Sequence, residues 1–268
     1  MNSGKNLAKS LSESTDKLDS RLKSFLTRPD LKNVHDVRTS IRRIEASFNL
    51  LPKNIRKKKI VSNYLTRTKS LFKSTSPIRD IDIAEGKLRK FETTAGIPDL
   101  LKRNEERRAQ LLGAAMKVAG TLEKTPIPRI KPSLISESKL SKRRKKIEKK
   151  FEDILHDQIA VVLANPKPDA LHEFRKNCKM LRYTLELDSN KKKRRLETTL
   201  EYLQTTLGNV LDDYTTLGYL APLGDKAAPI ISELNMARDK DYTKFVAILK
   251  RSLGATVTKS RSKHIVKA

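Results

Sequence analysis

Histidine and two cations recur at one spacing in two places. Residues 34–48 read VHDVRTSIRRIEASF and residues 171–185 read LHEFRKNCKMLRYTL. His35, Arg38 and Arg42 stand at i, i+3 and i+7 in the first copy, and His172, Arg175 and Lys179 do so in the second. On a helix this spacing stacks an imidazole and two cations along one stripe. The chemistry it suits is anion binding: Arg offers a planar fork, Lys a point charge, and His a donor near neutral pH. Like charges so placed repel by about 0.2–0.5 kcal/mol per pair, so the stripe is more comfortable with an anion along it. Arg182 and Tyr183 extend the second stripe, and Glu186 is placed to hold Arg182 from one turn away.

A helix that carries such a stripe must be buried on its other side. Val34/Leu171, Val37/Phe174, Ile41/Cys178, Ile44/Leu181 and Phe48/Leu185 match apolar for apolar at an offset of 137. At about 100° per residue they occupy an arc of roughly 80°, the buried face of an amphipathic helix. The offset also maps Leu18, Leu22, Phe25 and Pro29 onto Leu155, Ile159, Val162 and Pro166, so the repeat covers a two-helix unit.

The remaining periodicity predicts helices over 5–27, 33–51, 56–77, from 78 onward, 98–120, 139–164, 196–207 and 225–253. The stretch 121–138 holds Pro126, Pro128 and Pro132 without helical period and reads as a stiff connection. The expected plan is all-α: two antiparallel four-helix bundles from an internal repeat, over 1–120 and 139–253, with a basic, mobile tail at 254–268. Basic runs at 56–59 and 191–195 follow the two stripes at similar distances, and Asp212 falls opposite Asp80 once a five-residue slip is allowed.

The net charge of +27, from 58 Lys and Arg against 31 Asp and Glu, implies an anionic partner such as nucleic acid, a membrane surface or another polyanion. No apolar run approaches the length of a membrane span and no signal-like segment opens the chain, so a cytoplasmic protein with no membrane partner is expected. The single cysteine, Cys178, lies on the apolar face and reads as a core residue. His156 and His264 stand alone and read as surface residues.

His35 followed by Asp36 is superficially like the start of a metal-dependent phosphohydrolase site, and Asp80, Asp82, Asp212 and Asp213 could in principle join the two histidines around a cation. No histidine precedes His35, no H-x-x-x-H spacing exists, and the surrounding cations oppose a metal. Neither a metal nor a cofactor is expected, and the aspartates are better read as orienting Arg79 and its neighbours. Nucleic-acid binding fits the charge equally well, but aromatics make up 5% of the chain and form no stacking platform.

VHDVRTSIRR with IRDIDI at 78–83, and LHEFRKNCKMLRYTLEL with LGNVLDD at 207–213, resemble the two halves of a CHAD domain, the conserved-histidine α-helical domain. The resemblance spans about residues 5–250. It implies paired four-helix bundles that bind inorganic polyphosphate without catalysis and often associate with polyphosphate granules. The implied contacts are His35, Arg38, Arg42 and Arg79, then His172, Arg175, Lys179 and Arg182. Leu211 stands where Arg79 would recur and Glu45 where Arg182 would, so the halves are not expected to contribute equally. The E-x-E-x-K strand of the catalytic domain often fused to this family is absent. From the helical pattern, charge reversal at both Arg38 and Arg175 is expected to abolish anion binding while circular dichroism and melting are unchanged.

Overall fold

The computed structural model describes residues 3–164, 166–186 and 193–252. Its regular elements are α1 (Ser3–Thr27), α2 (Leu31–Leu50), α3 (Lys53–Arg56), α4 (Lys59–Ser74), α5 (Ser76–Leu88), α6 (Ile97–Glu123), α7 (Glu137–Ala164), α8 (Pro168–Glu186), α9 (Arg194–Leu220) and α10 (Ala228–Ser252), joined by short 3-10 turns. No strand occurs among the described residues, so the chain is all-α. It divides into two compact units, Met1–Lys146 and Ile147–Ala268, and the division falls inside α7. No described helix is long and apolar enough to cross a membrane.

In the first unit, the stripe-bearing helix is α2. The Asp30 carboxylate caps its start by accepting from the Asn33 amide at 2.8 Å. Leu51 turns extended ahead of Pro52 and ends it. Val34, Val37, Ile41, Ile44 and Phe48 are all buried, at most 3% exposed. Along α2 lies α1, fastened by Arg21, whose Nη1 donates to the Asp36 carbonyl at 3.1 Å and to Ser40 Oγ at 2.7 Å.

Two boundaries differ from the sequence pattern. The expected helix over 56–77 is two elements, the single turn α3 and then α4, which ends at Ser74. Pro77 does not terminate it from outside but sits in the first turn of α5, where a missing N–H is an orphan donor in any helix. Thr75 is the joint, closing α4 and opening α5. The proline-bearing stretch, expected as a linker over 121–138, begins after α6 ends at Glu123 and lies within the first unit. Its turn at Pro132–Leu134 packs on α1, and Arg129 donates to Ser12 Oγ at 2.8 Å and to Asp16 at 2.6 Å. Gly96 enters α6 at φ +85°, a left-handed conformation that glycine adopts without steric cost.

In the second unit, Leu171, Phe174, Cys178, Leu181 and Leu185 of α8 join Leu200, Leu203, Leu207 and Val210 of α9, Phe245 and Leu249 of α10, and Leu155 and Val162 of α7 in one core. Phe174 meets Phe245 edge-on with ring centroids 5.7 Å apart. Tyr242 Oη donates to the Val162 carbonyl at 2.6 Å, tying α10 to α7. Helix α9 runs unbroken from Arg194 to Leu220, carrying the leucine period at 196–207 on through LGNVLDDY. The tail at 254–268 and the first two residues of the basic run at 191–195 lie outside the described residues.

Burial pushes the Cys178 thiol well above its ordinary pKa, leaving almost no thiolate at neutral pH. A thiol reagent added to native protein is therefore expected to leave Cys178 unmodified over hours and to label it within minutes in denaturant, as followed by mass spectrometry. Rapid labelling of the native protein would place Cys178 outside the core.

Candidate anion-binding site

Arg38 and Arg42 of α2 meet Phe72 at the joint between α4 and α5, and Arg79 lies in the first turn of α5. Arg38 leaves α2 toward the junction of α4 and α5, where its Nη1 donates to the Phe72 carbonyl at 2.8 Å, to Ser76 Oγ at 3.0 Å and to Thr75 Oγ1 at 3.2 Å. The break at Thr75 explains the site: α4 stops before Ser76 can bond Phe72 as the regular helical donor, and the Phe72 carbonyl instead accepts from Ser76 Oγ at 3.0 Å, from Thr75 Oγ1 at 3.2 Å and from the Arg38 guanidinium. All three bonds use one terminal nitrogen. The guanidinium also lies over the Phe72 ring, 4.0 Å from its centroid, as does that of Arg42 at 4.1 Å.

Burial lowers the Arg38 pKa to about 10; the Asp80 carboxylate works against this, while Arg42 and Arg79 add to it. Arg38 remains charged at neutral pH. Its neighbourhood holds one carboxylate, Asp80, and two further guanidiniums, Arg42 and Arg79, so an anion at its outer edge would be stabilising. Arg42 has one weak carboxylate contact, Glu45 at 3.7 Å. His35 is exposed and lies 3.4 Å from Thr39 Oγ1. Asp36 points the other way, with Arg21 at 3.8 Å and Lys32 at 3.6 Å. The superficial His-Asp pair is thus two residues with different neighbours.

On α8, Arg175 makes the corresponding reach. Its Nε donates to the Gln204 carbonyl on α9 at 3.1 Å, 29 residues on, where Arg38 reaches 34 residues on; the difference is the five-residue slip that aligns Asp212 with Asp80. Here the helix is unbroken, and room comes from Gly208: a β-carbon there would lie 2.9 Å from Arg175 Nη2. His172 is exposed and Lys179 half-buried. Arg182 is buried at 9% exposure, bonded to Glu186 at 3.0 Å and Glu201 at 3.2 Å, as the one-turn spacing to Glu186 predicts. Two carboxylates offset its charge, so it serves to position α8 against α9 more than to receive an anion.

Exposure along the stripe is graded, not uniform as the sequence pattern suggested. Measured from the middle of the apolar arc, Arg182 lies at about 60°, Arg38 and Arg175 at about 80°, Arg42 and Lys179 at about 120°, and the histidines at about 140°. The order from buried to exposed follows these angles. Phe72, Thr75, Ser76, Gln204 and Gly208 were not among the expected site residues. Only the slip register pointed toward them.

Asp82, grouped with Asp80 at the sequence level, faces another way: it is buried and pairs with Arg108 Nε at 2.7 Å. No three His, Cys, Asp or Glu side chains come together as a metal site among the described residues.

The expectation that charge reversal at Arg38 and Arg175 spares stability is revised by this geometry. Arg38→Ala removes a charge-assisted bond to a carbonyl at a helix joint and is expected to cost about 1–3 kcal/mol in urea unfolding. Gly208→Ala is expected to keep or raise stability by up to about 1 kcal/mol through helix propensity while displacing the Arg175 guanidinium. Chemical denaturation of both variants checks this pair, and an Arg38→Ala protein as stable as wild type would show that the joint does not need it.

The CHAD domain profile matches residues 9–221. No curated protein matches the sequence. Among solved structures, the CHAD domain from the plant Ricinus communis superposes with a TM-score of 0.58 at 16% identity, covering 97% of this chain and 90% of that one. The likeness to that structure is one of fold, and the profile match extends over most of the chain, including both histidine-bearing helices: this chain belongs to the CHAD domain family.

Proposed function

We propose that this protein binds inorganic polyphosphate and breaks no bond in it. The observation that carries this reading is the gathering of Arg38, Arg42 and Arg79 around the α4–α5 joint, with Arg38 anchored by a single nitrogen and the three cations facing the one carboxylate of Asp80. Such a group is preorganised for an oxyanion: the side-chain ordering is already made by Phe72 and the joint, so little entropy is lost when phosphate arrives. The reading takes the second unit as a copy of the same four-helix plan, contributing His172, Arg175 and Lys179, with Arg182 holding the helix that carries them. Membership of the CHAD family, associated with polyphosphate binding, supports the ligand class.

A linear polyanion is held by many exchangeable charge contacts, which suits a chain with a net charge of +27. The same reading places the protein in the cytoplasm, at polyphosphate granules where these form, with no membrane partner and no cofactor. Weak binding to RNA or DNA through phosphodiesters follows from the same charges.

A competition at physiological salt between labelled long-chain polyphosphate and single-stranded RNA or duplex DNA tests the proposal, with the ligand assayed for shortening. Polyphosphate is expected to win and to remain intact. Tighter binding of nucleic acid would make the stripes a backbone-tracking surface for that partner, and ligand shortening would make the protein a phosphohydrolase. Log affinity is expected to fall linearly with log salt, with a slope of about 0.7 per phosphate neutralised. Arg42→Gln, which leaves the carbonyl anchors in place, is expected to weaken binding about three- to tenfold with melting unchanged, given roughly 1 kcal/mol per exposed charge-assisted contact.

A further inference from the structure

Helix α2 ends against a second group of cations. Arg143 Nε donates to the Asn49 carbonyl at 3.1 Å, and Arg56 Nε donates to the Leu51 carbonyl at 3.0 Å. Both arginines are half-buried, and among the described residues neither bonds through its terminal nitrogens. The Arg143 pKa is lowered first by burial and then by the charge of Arg56, with no carboxylate acting in the other direction. Lys53 and Lys57 flank Arg56, and Lys139 and Lys146 flank Arg143 at i−4 and i+3 on α7; all four are exposed. Among the described residues none of these six cations forms an ion pair.

That absence of counter-charge separates this group from other arginines of the unit. Arg108 is neutralised by Asp82, Arg129 by Asp16, and Arg21 by Asp36. Arg56 and Arg143 are instead held by carbonyl dipoles, which orient a guanidinium without cancelling its charge. Two half-buried forks fixed by their inner nitrogens, close enough to repel, present their outer N–H groups to whatever anion comes between or over them.

Resting on the polyphosphate reading above, we propose that Arg56 and Arg143 form a second oxyanion subsite in the first unit, which receives a further phosphate of the same linear chain and makes binding depend on chain length. From Arg42 to Leu51 the α2 axis advances about 14 Å at 1.5 Å per residue. A chain of three phosphates is too short to occupy the stripe and this subsite at once. A long chain bound at the stripe reaches the subsite as an intramolecular event, and its affinity rises by the effective concentration of the tethered segment.

The test compares long-chain polyphosphate with tripolyphosphate by titration calorimetry, on wild type and on Arg56→Gln/Arg143→Gln. Wild type is expected to favour the long chain, and the variant to lose about tenfold or more of that preference while tripolyphosphate affinity at the stripe stays within about twofold. An unchanged preference, or equal loss for both ligands, would overturn the subsite. Since both arginines hold carbonyls at the end of α2, Lys53→Gln/Lys57→Gln serves as a second variant whose exposed positions do not threaten the fold. It is expected to lower long-chain affinity about threefold and to spare tripolyphosphate, and no long-chain loss in it would likewise count against the subsite. Failure of wild type to bind either ligand would refute the polyphosphate reading itself, a result distinguishable from loss of the chain-length effect alone.

Discussion

The bond from a guanidinium on the histidine-bearing helix to a main-chain carbonyl on the neighbouring helix is the contact on which the candidate site depends. Arg38 reaches Phe72 and Arg175 reaches Gln204. Each arginine ties its helix to the neighbouring one, and the carbonyl fixes the guanidinium in return. In the first unit the carbonyl lies at the joint at Thr75; in the second, Gly208 lacks the β-carbon that would collide with the guanidinium. Different local devices bring about the same cross-helix reach.

Anchoring cations on carbonyls has an electrostatic consequence. A carboxylate partner would offset the charge and leave little field for a ligand, as at Arg182 between Glu186 and Glu201. A carbonyl supplies direction and partial charge but no full counter-charge, so Arg56 and Arg143, which form no ion pair among the described residues, remain net positive after being ordered. The burial that lowers the Arg38 pKa also removes competing water from the inner side of the guanidinium. In the proposed function, a phosphate chain would meet donors whose rotamers are already chosen, and the self-repulsion of a strongly basic chain would contribute to binding.

Much of this was legible in the residue order. The two apolar stripes predicted ten core positions, and each is buried. The five-residue slip that pairs Asp212 with Asp80 is the register in which Arg175 and Arg38 find their carbonyls. The grading of exposure from Arg182 to the histidines was also present in the helical angles, although treating the stripe as one exposed face concealed it. The joints are less legible. The pattern places Pro77 at the end of the helix expected over 56–77, whereas it opens α5, because proline is equally at home just past one helix and in the first turn of the next. The proline-bearing stretch joins α6 to α7 with only a short turn of its own, and its packing on α1 depends on partners more than 100 residues away, such as Asp16 for Arg129.

The residue order by itself determined the all-α class, the duplicated histidine-bearing helix, its buried face and the large positive charge, since these rest on periodicity and composition carried within one helix at a time. Only the tertiary structure decided which cations keep their charge available. That depends on whether a distant carbonyl or a distant carboxylate completes each guanidinium, and helical spacing carries no information about partners 29 or 34 residues away.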